Sequence, residues 1–287
     1  MGGPIPALFA EALAYDIESN YVRELIVRWK VPAPSDAPAI WPWPLSVKTF
    51  GTFEIKLHGK AIEFGRKAPR KSLALLKALI ALGGADVPEQ TLTDALWPDE
   101  EGDAAHGAYT MTLSRLRKLL GDSDLLQQKG AKLSLDRRKC WVDVWAFERS
   151  ISQIGSSAFP SEPSSSRLTD ALTLYGGTFL SEDSDAPWAA SLRERLRSRF
   201  VRAVSEAGRE LEQASQHEEA AKLYQRGLDA DNMAEAFYQG LMRCHAAAGR
   251  TSDAIATYLR LKQLLSLTLN IKPSAATERL LQSLRGQ

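Results

Sequence analysis

Ala104-Ala105-His106-Gly107-Ala108-Tyr109-Thr110-Met111-Thr112-Leu113-Ser114-Arg115-Leu116-Arg117-Lys118-Leu119-Leu120 is the stretch on which the reading of this chain turns. At about 3.6 residues per turn, Ala105, Tyr109, Leu113, Leu116 and Leu120 share one helical face. That face predicts a core contact. His106, Thr110, Ser114 and Arg117 form the opposite stripe, with Met111, Arg115 and Lys118 beside it. A helix of this kind fits the major groove of double-stranded DNA. There arginine offers paired donors to guanine, hydroxyls reach bases or phosphates, and cations bind phosphate without regard to sequence. The candidate contacts on this helix are His106, Thr110, Thr112, Ser114, Arg115, Arg117 and Lys118. The rival reading is a solvated face whose cations favour a helix C-terminus.

The neighbouring segments supply a context. Strands are predicted at 46–50, 53–57 and 61–64, separated by Gly51-Thr52 and His58-Gly59-Lys60. A helix over 70–82 carries Leu73, Leu76, Leu79 and Ile80 and stops at Gly83-Gly84. A second follows Asp86-Val87, with Pro88 at an early position, and ends at Trp97-Pro98. After the 104–120 helix a hairpin is predicted, with strands at 125–128 and 132–135. Strand, helix, helix, helix, hairpin is the order of a winged helix-turn-helix, placed at 46–140. Two further basic sets suit DNA phosphates: Arg66, Lys67, Arg70 and Lys71 before and at the first helix, and Lys129 and Lys132 in the wing.

The remainder is helical. Glu219, Ala220, Tyr224 and Arg226 are matched 34 residues later by Asp253, Ala254, Tyr258 and Arg260, and Ala214 by Ala248. That period, with a small residue four before an aromatic, marks a tetratricopeptide-like repeat. The alanine permits close helix approach and the tyrosine fills the groove. Helices are predicted at 187–213, 216–229, 233–248, 251–267 and 274–285, within a domain spanning 141–287. The fold class is therefore mixed: an α+β winged helix followed by an all-α repeat domain. Residues 1–45 form a leading segment. One amphipathic helix over 6–30 carries Leu8, Ala12, Tyr15, Tyr21, Leu25 and Trp29. An extended proline-rich linker follows, from Val31 to Pro44. A helix that cannot bury its own apolar side must dock or belong to an upstream domain. A second linker, rich in Ser and Pro, is predicted at 155–166.

Composition narrows the function classes. With 287 residues, two domains are the natural expectation. Net charge is +1, but residues 44–150 hold 17 Lys+Arg against 14 Asp+Glu, so the positive excess sits on the winged helix. No apolar run is long enough to cross a membrane, and the N-terminus lacks the pattern of a signal peptide. A cytoplasmic protein without membrane association is expected. Cys140 and Cys244 lie far apart and read as buried hydrophobes. His58, His106, His217 and His245 belong to no catalytic or metal-binding spacing, and the chain has no phosphate-binding glycine loop. No enzyme, cofactor or metal is expected.

Several segments together make a family resemblance specific. The segments 73–79, Thr93-Asp94-Ala95-Leu96-Trp97-Pro98 and 113–121 resemble the OmpR-type winged helix of the Streptomyces antibiotic regulatory proteins. Trp141-Val142-Asp143-Val144-Trp145-Ala146-Phe147-Glu148, Tyr175-Gly176-Gly177-Thr178-Phe179-Leu180 and the repeats are similar to the bacterial transcriptional activator domain. The resemblance covers 46–287. It implies promoter DNA as the ligand, tandem half-sites that favour a homodimer, and activation by recruiting RNA polymerase. It also makes the serine and arginines of the Ser114-Arg115-Leu116-Arg117-Lys118 motif the expected DNA contacts. The acidic run Asp99-Glu100-Glu101-Gly102-Asp103 departs from a phosphate-binding surface unless it faces away. The alternative is a protein-interaction scaffold in which the repeats bind a partner and the winged helix is only structural.

Overall fold

In the computed structural model, residues 4–63, 69–100, 102–154 and 164–285 are described. They fall into two compact units. The first comprises Met1–Ala146 with Phe179–Arg193, the second Phe147–Thr178 with Glu194–Gln287.

The first unit opens with α1 (Pro4–Ala14) and α2 (Ser19–Arg28), two helices where one was expected. Asp16 and Glu18 adopt positive φ angles of 54° and 44°, which a helix interior does not admit, so the chain breaks there. Pro6, Leu13, Val22 and Ile26 are buried in this pair, while Leu8, Tyr15, Tyr21 and Trp29 are exposed. The proline-rich stretch is folded into turns, closed by Ala37 N–H to the Pro34 carbonyl and Trp41 N–H to the Pro38 carbonyl. Trp41 and Trp43 are buried, and Trp43 Nε1 donates to the Pro38 carbonyl at 3.0 Å.

β1 (Leu45–Lys48), β2 (Glu54–Leu57) and β3 (Lys60–Ala61) form antiparallel pairs. Phe64, expected to end the third strand, lies outside the described residues. α3 (Arg70–Ala81), β4 (Val87–Pro88), α4 (Glu89–Leu96) and α5 (Gly102–Leu120) follow. β5 (Leu126–Lys129) and β6 (Lys132–Leu135) make the wing, and β7 (Cys140–Val142) returns beside β1. The first sheet runs β3-β2-β1-β7, with β1 and β7 parallel. The second runs β4-β6-β5. Leu45, Val47 and Ile55 are fully buried, as the inward positions of alternating strands require.

Asp143, the first residue of α6 (Asp143–Gln153), joins that helix to the end of β1. Its carboxylate accepts from Thr49 N and Oγ1, each at 2.6 Å, from Phe50 N at 2.9 Å and from Val144 N at 2.8 Å. Burial still raises its pKa above the usual carboxylate value. Segment 179–193 is stitched to the same place: Leu180 N–H donates to the Thr49 carbonyl at 2.8 Å, and Lys77 pairs with Asp183 at 2.6 Å. Gly84 is required twice over. Its φ is +74°, and a Cβ there would lie 2.5 Å from the Trp145 ring.

The second unit holds the end of α6, α7 (Ser164–Leu174), the greater part of α8 (Pro187–Gln213), α9 (His217–Ala230), α10 (Glu235–Ala247), α11 (Thr251–Leu269) and α12 (Ala275–Arg285). The five predicted repeat helices match α8 to α12 within two residues at each end. Ser164 to Ser166 begin α7 and are not linker; the rest of that expected linker, 155–163, is outside the described residues. Ala220, Tyr224 and Ala254 are fully buried and Tyr258 nearly so, as the repeat demands. Ala214 and Ala248 are exposed at helix ends. The tyrosine groove is made by glycine: a Cβ at Gly208 or Gly240 would lie 2.3 Å from the Tyr224 ring. Tyr175 stacks on Phe200 at 4.0 Å between centroids, and Phe200 meets Phe237 edge-on at 5.9 Å.

Candidate nucleic-acid interface

α5 is held by its apolar face. Ala105, Tyr109, Leu113, Leu116 and Leu120 are buried as expected, in the same core as Leu75, Leu76 and Leu79 of α3 and Leu92 of α4. Thr112 is buried with them and is not a surface contact. The reason is angular: seven residues of helix return Thr112 to within about 20° of Ala105. Asp103 lies in the first turn, where the positive end of the helix dipole favours a carboxylate. Asp99, Glu100 and Asp103 are exposed; Glu101 is outside the described residues.

The opposite face carries His106, Gly107, Thr110, Met111, Ser114, Arg115 and Lys118, all exposed. They are not equivalent. His106 Nδ1 pairs with the carboxylate of Glu89, the first residue of α4. Arg117 is half-buried and donates through Nη2 to Gln128 Oε1 of β5 at 3.4 Å, while its Nε is buried without a partner. Arg117 therefore leans toward the wing. Arg115 and Lys118 make no hydrogen bond or ion pair among the described residues. Beneath them, burial pushes the Tyr109 phenol up to about 12, and the nearby Glu89 charge adds to this. Tyr109 stays neutral, with its hydroxyl unpartnered in the core.

The wing hairpin pairs Lys129 directly opposite Lys132, both exposed. Like charges facing each other across a strand pair are destabilising, and an anion placed between them removes that cost. Of the basic set at α3, Arg70 is exposed at the first helical position. Lys71 is engaged inside the protein: its Nζ donates to the Leu96 carbonyl at the end of α4 at 2.9 Å and lies over the Trp97 ring. It caps a helix, which is its physical use here. Arg66 and Lys67 lie outside the described residues. The structure thus brings together Thr110, Ser114, Arg115 and Lys118 on one surface and Lys129 with Lys132 on another of the same unit. Glu89 and Gln128, which orient His106 and Arg117, carried no local signal in the sequence.

Neither cysteine offers a reactive thiolate. Both are buried and free, and burial raises both thiols, Cys244 to about 11. Among the described residues no group of three His, Cys, Asp or Glu side chains is arranged to hold a metal ion. Among the described residues no helix is long and apolar enough to cross a membrane.

Comparison with known proteins places this geometry. The model of the bacterial transcriptional activator domain matches residues 142–285. Over 212 residues the chain is 27% identical to the Regulatory protein AfsR of Streptomyces coelicolor, an alignment covering 73% of this chain and 21% of that protein. The chain thus spans about a fifth of the length of this relative. Among solved structures, Mycobacterium tuberculosis EmbR in complex with a low affinity phosphopeptide superposes with a TM-score of 0.60 and 21% identity. It covers 85% of this chain and 66% of that one. The mixed winged-helix and helical-repeat fold expected from the sequence is the fold these comparisons share.

Proposed function

The chain belongs to the bacterial transcriptional activator domain family, and from that premise we propose that it is a sequence-specific double-stranded-DNA-binding transcription regulator. Transcription regulation is not an enzymatic class. On this reading 46–140 is the DNA-binding domain, 141–287 is the activator domain that engages RNA polymerase, and 1–45 is a leading segment. α5 enters the major groove of promoter DNA, with Thr110, Ser114 and Arg115 toward base edges and Lys118 toward phosphate. Lys129, Lys132 and Arg70 lie along the backbone. Arg117 sets the wing against α5 and contacts DNA through its remaining donors. Two copies on tandem half-sites are the assembly this implies, and the cytoplasm its place of action.

The observation that carries the reading is the pair of exposed, unengaged cations Arg115 and Lys118 on a helix whose other side is fully packed. A cation left without a partner beside shape-compatible polar groups is what a phosphate-bearing ligand needs. The test is fluorescence anisotropy on duplex DNA from the chain's own upstream region. Binding that weakens steeply with salt, and that Arg115→Ala reduces by about 1–3 kcal/mol without lowering the melting temperature, is the expected result. Equal affinity of variant and parent removes Arg115 from the interface. Salt-independent or absent binding by a folded sample favours the scaffold.

A further inference from the structure

Met111 is the one exposed large hydrophobic side chain among the described residues from 41 to 146, at 55% exposure. A lone exposed apolar residue is ordinary on a protein surface. Its position here is not. It sits amid the polar face of α5, beside Thr110, Ser114, Arg115 and Lys118. One turn earlier on the same face is Gly107, in the interior of a helix of 19 residues. Glycine weakens a helix interior relative to alanine, and packing does not demand it, because a Cβ built on Gly107 would meet nothing within 4 Å. An exposed methionine and a stretch of bare backbone, four residues apart, interrupt an otherwise hydrophilic face.

In the major groove the base edges present donors and acceptors, with one apolar exception, the C5-methyl of thymine. Methionine is unbranched and polarizable, and adapts to such a small apolar target. We propose that Met111 is the thymine-reading residue of α5, with the missing side chain at Gly107 letting the helix backbone approach the base edges closely enough for that contact. The proposal rests on α5 lying in the major groove, and it adds a base identity to that reading.

The full chain is used to select duplexes from a random library, and each thymine of the bound site is replaced in turn by deoxyuridine, which lacks only the methyl. For the parent, affinity is expected to fall about fourfold at one thymine of each half-site, the worth of one buried methyl. Met111→Ala is expected to bind the thymine duplex about fourfold more weakly and to be indifferent to deoxyuridine at that position, and Met111→Leu to restore the discrimination. Gly107→Ala should raise the melting temperature while weakening binding. A deoxyuridine profile that is flat for the parent, or identical for the parent and Met111→Ala, overturns the assignment while leaving DNA binding intact. A folded parent that selects no duplex overturns the DNA-binding reading itself, and Met111 with it.

Discussion

Four arginines of the helical repeats are answered by carboxylates within the fold, and two cations of the α5 surface are not. In the repeats, Arg197 pairs with Asp231 at 2.7 Å, Arg243 with Glu212 at 2.7 Å, and Arg195 and Arg199 with Glu148 at 3.4 and 3.5 Å. Glu212 also accepts from the Tyr224 hydroxyl at 2.6 Å, so the groove tyrosine is fixed at both its ring and its oxygen. These cations are consumed inside the fold. On α5, Arg115 and Lys118 stay open among the described residues, whereas His106 pairs with Glu89 and Arg117 with Gln128. The contrast teaches how to separate residues that build this protein from residues that serve a ligand: the same side chain is structural when its charge is answered within the chain, and available when it is not.

That contrast breaks most readily at the buried charges. Asp143→Ala removes the acceptor for three backbone amides and the Thr49 hydroxyl, and stranding such donors in the core should cost about 3 kcal/mol, read by chemical denaturation. Arg243→Ala leaves Glu212 beside Tyr224 without its cation. With Arg243 partly exposed, the destabilisation should be about 2 kcal/mol, and DNA affinity should not change. An Arg243→Ala chain of parental stability but impaired DNA binding would reverse the assignment of roles. Arg117→Ala should weaken DNA binding by about 1 kcal/mol with a smaller change in salt dependence than Arg115→Ala, because its side chain is half-buried and held toward the wing by its bond to Gln128, further from phosphate.

The smallest expected effect is a pH dependence. Burial acts to raise Glu212, but the hydrogen bonds from Arg243 and Tyr224 outweigh it and hold the carboxyl below its usual 4.5. A carboxyl depressed on folding contributes stability that is complete above its unfolded value and is lost as pH falls through the folded one. The stability gap between parent and Glu212→Gln should therefore narrow below about pH 4.5, by under about 1 kcal/mol. Asp143 runs the other way: its raised value means that ionisation at rising pH removes stability. A gap that widens in acid would contradict the Glu212 assignment.

How much of this was legible in the sequence follows from range. The repeat helices were readable because their signal is periodic and local, with Ala220 and Tyr224 copied at Ala254 and Tyr258. The winged helix was readable from the order of its elements. The parallel pairing of β7 with β1 was not, since Cys140 meets Leu45 across 95 residues and parallel partners leave no turn signal. The return of Phe179–Arg193 to the first unit was hidden for the same reason. Within the site, periodicity places the face of α5, and naming Thr112 as a contact goes against that same periodicity, which sets it beside Ala105; nothing local in the sequence marks Lys71 as bound to the Leu96 carbonyl. The break between α1 and α2 rests on two left-handed residues, Asp16, whose short side chain tolerates that backbone, and Glu18, whose identity gives no sign of it.

The central claim is that the open cations of α5 answer DNA phosphate and base edges. It is tested most directly by titrating the parent and the Arg115→Ala, Lys118→Ala double variant with duplex DNA across a range of salt concentrations. The slope of log affinity against log salt should be steep for the parent and shallower in the double variant, by about 0.9 for each phosphate that is no longer neutralised. The melting temperature should be unchanged. Parallel slopes for parent and variant would show that these two side chains meet no phosphate, and would return the exposed face of α5 to plain solvation.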